Sequence, residues 1–142
     1  MKYILFSLAA IIFFAKPLFA QTKDEAQITK ILSGQQAAWN KGNIEEYMQG
    51  YWQNDSLMFI GQSGITYGWK QTMENYKKHY PGTAAMGKLS FEYIEIKRLS
   101  AIYFFVVGKW HLSRSIGNTG GHFTLLFRKI KGKWVITSDH SS

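Results

Sequence analysis

The sequence predicts an α+β domain in which N-terminal helices pack on a strongly curved, mostly antiparallel sheet. Three observations carry that expectation. Apolar residues recur at helical spacing as far as Tyr80. Apolar-rich runs at strand spacing then fill nearly everything after Gly87, and one of those runs changes phase in mid-strand. A set of helices followed by a set of strands is the order of a helix layer on an antiparallel sheet.

Thr22-Lys23-Asp24-Glu25 reads as a capping box with Thr22 as N-cap. Ile28, Ile31, Leu32 and Trp39 follow as an apolar stripe that stops at Lys41-Gly42. Asn43 to Glu46 repeats the start signal, and Ile44, Tyr47, Met48, Tyr51 and Trp52 share one helical face. Asp55 introduces a short strand over Leu57–Gly61, and Gly64–Gly68 returns as a second. A third helix fits Trp69–Tyr80, with Trp69, Met73, Tyr76 and Tyr80 on one side and Pro81-Gly82 as its stop.

In Lys88–Leu99 the apolar set runs Leu89, Phe91, Tyr93 and then moves to Ile94 and Ile96, as at a β-bulge that bends a sheet. Ala101–Leu112 is apolar on both alternating sets, Ile102, Phe104, Val106 and Tyr103, Phe105, Val107. Both faces of such a strand are covered, and a second copy of the chain on the outer one would make a homodimer. Finally, His122–Ile130 and Trp134–Asp139 flank Lys131-Gly132, the signal of a tight hairpin.

Residues 1–20 read as a signal peptide: Lys2, an apolar run Tyr3–Ala15, the break Lys16-Pro17, and Ala20 before the cut. The run is short for a membrane span, so the expected product is a periplasmic or secreted domain, residues 21–142, with no further membrane contact. Removing Lys2 and Lys16 lowers the formal net charge from +8 to +6. The remaining cations are scattered, three of them Arg, with no nucleic-acid motif; a solvated surface is the expectation. The chain has no Cys, which removes disulfides, thiol nucleophiles and thiolate-bound metals. His79, His111, His122 and His140 form no metal-binding frame, and Gly61, Gly64 and Gly68 form no phosphate loop, so neither metal nor cofactor is expected. His79 falls at a helix C-terminus, where a cation suits the dipole. Aromatic residues make up 16% of the chain, a high share that points to an aromatic-lined cavity, a buried dimer face, or both.

Ala38-Trp39-Asn40-Lys41-Gly42-Asn43-Ile44-Glu45, Gly108-Lys109-Trp110, Phe123-Thr124-Leu125-Leu126-Phe127-Arg128 and Gly132-Lys133-Trp134, in this order, resemble NTF2-like domains. More narrowly the chain is similar to the SnoaL-like and DUF4440 branches, ketosteroid-isomerase homologues among them. The resemblance implies a cone-shaped, cystatin-like fold with a cavity between helices and curved sheet, often in a homodimer. Steroid isomerases of this kind carry a basic Asp on the first strand. Matching Asn54-Asp55 to that strand's opening puts Ile60 at, or within a residue of, the position, and Ile takes no proton. Cyclases of the SnoaL type use an Asp near the end of the last strand, and Asp139 matches it.

Asp139 with His122 or His140 is the expected catalytic constellation, since a carboxylate that orients a histidine makes a usable base. A two-residue turn at Lys131-Gly132 would put His122, Thr124 and Asp139 on one face; a three-residue turn would align His122, Thr124 and His140. Asp139 could instead only finish the sheet with hydrogen bonds. Trp39, Tyr51, Phe59, Tyr76, Trp110 and Thr124 are the expected ligand-contacting residues. The expected function is binding of a small, largely apolar molecule. The alternatives are an acid/base isomerase, cyclase or dehydratase and a non-catalytic interaction module.

Overall fold

A computed structural model of the chain describes residues 16–142, with side chains from Lys23 onward. Residues 1–15 of the expected signal peptide lie outside the described residues. Helix α1 (Lys16–Asn40) runs straight through Thr22, so the N-cap expected there is not formed. Nothing between Lys16 and Thr22 interrupts the hydrogen-bond ladder, because Pro17 sits in the first turn, where its missing N–H costs nothing. The other end behaves as its residues dictate. Gly42 adopts φ +77°, and the N–H groups of Gly42 and Asn43 return to the carbonyls of Trp39 and Ala38 at 2.8 and 3.0 Å, closing a Schellman motif.

Asn43 then caps α2 (Ile44–Tyr47) by accepting the Glu46 N–H, and a 3₁₀ turn (Met48–Gly50) follows. The helix expected through Trp52 ends at this turn, where Gly50 lies close against the Gln35 side chain. Tyr51 turns extended and forms a parallel bridge with Ile136. Strands β1 (Met58–Gly61) and β2 (Gly64–Tyr67) precede α3 (Trp69–His79), and a single-turn α4 (Thr83–Met86) is an addition that periodicity did not reveal.

Strands β3 (Lys88–Arg98), β4 (Tyr103–Ser113), β5 (Thr119–Ile130) and β6 (Lys133–Ser141) complete a six-stranded sheet in the order β2-β1-β6-β5-β4-β3. All neighbours are antiparallel except β1 and β6. The β3 phase change is a bulge at Ile94, as expected, but Ile94 itself is left in solvent while Ile96 reaches the core. Helix α1 lies along edge strand β3. Asn40 brackets the Leu89 backbone with two hydrogen bonds and Gln36 accepts from the Phe91 N–H, which protects the edge from another chain.

The core lies between α1 and the inner sheet face, where Ile28, Leu32, Phe104, Val106, Phe127 and Ile136 are buried. Its lower end is held by Asp24, whose Oδ1 accepts from the Trp134 indole at 3.0 Å and from Lys129 Nζ at 3.1 Å. Burial pushes this carboxyl up, but the indole and the ammonium outweigh it, so its pKa falls below the ordinary value. We expect Asp24→Ala to cost about 1–3 kcal/mol in denaturant unfolding at neutral pH by stranding both donors. Because the folded pKa is depressed, that contribution is present above about pH 4 and fades on further acidification. Among the described residues no helix is long and apolar enough to cross a membrane.

Candidate functional site

The β5–β6 hairpin decides what the cavity contains. Lys131 and Gly132 form its two-residue turn, both at positive φ (48° and 78°), and the pairs Ile130–Lys133 through Phe127–Ile136 follow directly from it. Thr137 is then inserted as an extra residue, its hydroxyl donating to the Leu126 carbonyl at 3.2 Å. Beyond it the register moves by one, so Leu125 faces Asp139 and Thr124 faces His140. A one-residue shift exchanges the faces of every residue after it. Asp139 therefore points inward, and His140 outward.

Asp139 is 3% exposed. Its Oδ2 accepts from the Tyr51 hydroxyl at 2.7 Å and its Oδ1 from the Ser141 hydroxyl at 2.8 Å. Burial pushes its pKa up to about 6, and the two hydroxyl donors hold it from going higher. Tyr51 reaches it because the Tyr51–Ile136 bridge lays that residue against β6. Tyr47, one turn earlier, lies 3.4 Å from the Tyr51 oxygen; Tyr51 spends its only proton on Asp139, so Tyr47 is the donor. Burial, reinforced by the Asp139 charge, pushes Tyr47 up to about 12. Burial likewise holds Tyr51 and Tyr76 well above the ordinary phenol value. The three phenols stay protonated, and a single carboxylate is set among them.

These groups open on a cavity of about 480 Å³, within the range that encloses a small organic ligand. Trp39, Tyr51, Phe59, Tyr76 and Trp110, named from the sequence as ligand-contacting residues, stand in its lining. Trp39 is held edge-on to Tyr47, Tyr76 and Tyr80, and its indole donates to the Met86 carbonyl at 3.0 Å. The Trp110 indole N–H is buried without a protein acceptor. Thr124 is not in the cavity: on the far side of the shifted register it shares the outer sheet face with His140. His122 is exposed on the same strand and also lies outside. The expected Asp–His pairing through His122 or His140 is therefore not made, since Asp139 takes its hydrogen bonds from Tyr51 and Ser141.

Two cationic or titratable groups that were not expected at the cavity, His79 and Arg114, stand among the lining residues. His79 donates Nδ1–H to the Asn75 carbonyl at 2.7 Å, which leaves Nε2 for another partner. Arg114 on the β4–β5 connection donates Nε–H to the Gly117 carbonyl at 2.8 Å. For His79 a signal was present: it stands three residues after Tyr76, on the face that reaches the cavity. On β1 the lining residues are Phe59 and Gly61, so neither Ile60 nor its inward neighbours offer a proton acceptor.

Scans against protein-family profiles and curated proteins found no match. Solved structures did match. An NTF-2 like protein of unknown function from Shewanella oneidensis is 47% identical, covers 84% of this chain and 98% of its own, and superposes with a TM-score of 0.81. The chain belongs to the NTF2-like family. An NTF2-like protein of unknown function from Pseudomonas putida shares 14% identity over 85% of this chain and 87% of its own, at a TM-score of 0.68. A ketosteroid isomerase-like protein from Erwinia carotovora atroseptica shares 20% over 82% and 93%, at 0.66. Both show the same fold. In this NTF2-like protein the inward acid stands at the end of the last strand, while the first strand brings only Phe59 and Gly61 to the cavity.

Proposed function

We propose that this NTF2-like protein binds a small, largely apolar molecule in the cavity, with a hydroxyl or carbonyl of the ligand directed at Asp139 and Tyr51. The observation that carries this reading is a buried, hydrogen-bonded carboxyl on the wall of an otherwise aromatic cavity. A ligand donor would be accepted by the carboxylate and a ligand acceptor by the protonated acid. Burying such a group without a ligand partner has a cost that a scaffold alone does not need. The open cavity counts against a purely non-catalytic interaction module. General acid/base chemistry at Asp139 is the second reading, supported by a pKa raised to about 6, near where a catalytic acid or base operates. It would proceed without His122 or His140, which lie outside the cavity.

We also propose export with cleavage after Ala20 and a homodimer through the outer sheet face. Every described core side chain lies at Asp24 or later and is kept after cleavage there. Tyr103, Phe105 and Val107 are half-buried on the outer face and would be covered by a partner. One measurement tests all three. The native mass spectrum of the protein purified from its own export host is expected to show chains starting at Gln21, in pairs, with a small molecule retained. A ligand-free spectrum, together with Trp fluorescence that no apolar alcohol or ketone perturbs, would overturn the binding reading.

A further inference from the structure

At the end of the sheet away from α4, the β3–β4 and β5–β6 turns lie side by side. Lys129 N–H donates to the Ile102 carbonyl at 2.8 Å, and Tyr103 pairs with Arg128. Residues 97–103 and 128–133 hold six basic residues, Lys97, Arg98, Arg128, Lys129, Lys131 and Lys133, and no acidic one. Of these only Lys129 has a carboxylate partner, Asp24 on α1. Arg98 is turned to the Ser100 carbonyl and Arg128 lies over the Tyr103 ring, while Lys97, Lys131 and Lys133 are exposed. Between them stand two large apolar side chains open to solvent, Leu99 at 54% and Ile102 at 44%.

The helix places the beginning of the chain at this same end. Asn40 is bound at Leu89, Gln36 at Phe91 and Asp24 at Lys129, so α1 runs antiparallel to β3 and its N-terminus leaves past the two turns. Lys16 lies about 12 Å beyond Asp24 along the helix axis. The apolar sequence Tyr3–Ala15 precedes it until the proposed cleavage after Ala20. This is therefore the end at which the chain meets the membrane during export, and the two turns alone would hold the cleaved protein there.

We propose that this end of the molecule docks on an anionic membrane surface, with the lysines at phosphate depth and Leu99 and Ile102 pressed into the boundary of the acyl region. Scattered cations would give only solubility. Six on two adjoining turns, interleaved with exposed aliphatic side chains, match an interface that is negative outside and apolar just beneath. A docked molecule would stand with α1 rising from the bilayer.

Sedimentation of the full chain with vesicles tests this. Binding is expected to vesicles of phosphatidylcholine and phosphatidylglycerol in equal parts, to be weak on phosphatidylcholine alone, and to fall as salt rises. Changing Lys97, Lys131 and Lys133 together to Gln is expected to weaken binding by at least about tenfold, since each cation near an anionic surface contributes severalfold. Leu99→Ser with Ile102→Ser is expected to weaken it as well. All five positions are exposed, so unchanged melting curves serve as the folding control. If the apolar N-terminal sequence alone drove binding, the lysine variant and the vesicle charge would make no difference, and the proposal would fall. Binding to duplex DNA that exceeds binding to the mixed vesicles at equal salt would likewise overturn it, assigning the patch to nucleic acid.

Discussion

Replacing Asp139 by Asn is expected to stabilise the fold at neutral pH and at the same time to weaken ligand binding. The carboxyl has a folded pKa of about 6 against an ordinary value of 3.8, because burial penalises its charge. Below about pH 4 it is protonated in both folded and unfolded chains and contributes no pH dependence. Between about 4 and 6 the unfolded chain has released a proton that the folded one retains, so stability declines as pH rises. Above about 6 the decline is complete and amounts to roughly 3 kcal/mol at most. Asn keeps an oxygen for the Tyr51 hydroxyl and can donate its amide to the Ser141 oxygen, so both contacts survive without the charge. Thermal melts should show wild-type protein gaining stability between pH 7 and 5 and the variant not doing so. At pH 7 the variant should melt several degrees higher. Affinity for a ligand whose hydroxyl donates to the carboxylate should fall, because the variant offers an amide oxygen in place of a charge-assisted acceptor. A variant that melted lower than wild type at pH 7 with binding intact would show that Asp139 serves the sheet and not the cavity.

Trp39→Ala should be the most damaging single truncation in the cavity wall. The ring is 3% exposed and meets Tyr47, Tyr76 and Tyr80 at centroid distances of 5.2, 5.8 and 4.9 Å, all edge-on. Its N–H is the partner of the Met86 carbonyl, which ties α1 to the chain that leads into β3. Removing it forfeits about 3–5 kcal/mol in chemical denaturation, a large share of the stability of a domain this size. Trp39→Phe separates the contributions: it restores most of the aromatic packing and loses only the indole hydrogen bond, at about 1–2 kcal/mol. Equal losses for the two variants would mean that the hydrogen bond, and not the packing of the tyrosines, holds the wall.

Element by element, the fold was legible wherever the signal was local. The α3 boundaries follow from Trp69, Met73 and Tyr76 on one face and Pro81 beyond it. The Asn43 cap and the Gly42 stop are written in their own side chain and in the absence of one. The bulge in β3 shows as a switch of apolar phase, because Leu89 and Phe91 on one side and Ile96 on the other all seek the same core. Where a start signal had no need to act, as at Thr22, the helix passed through it.

Composition and periodicity by themselves determined a helix layer on a bent antiparallel sheet and an acid near the end of the last strand, with aromatic residues enough for a cavity wall or a buried dimer face. The cavity itself was implied by the family resemblance. Only the tertiary structure decided which neighbours that acid keeps. The bulge at Thr137 leaves no mark in the sequence, since Ile136, Thr137, Ser138 and Asp139 show no change of apolar phase. Whether an extra residue is inserted there depends on pairing with Leu126 and on where β1 and Tyr51 come to rest against β6. That single insertion turns Asp139 inward and His140 outward, and it brings to Asp139 a hydroxyl from a residue 88 positions earlier in the chain. Periodicity records what each residue prefers to face. Register across a sheet is set by contacts between distant segments, and only the assembled fold contains them.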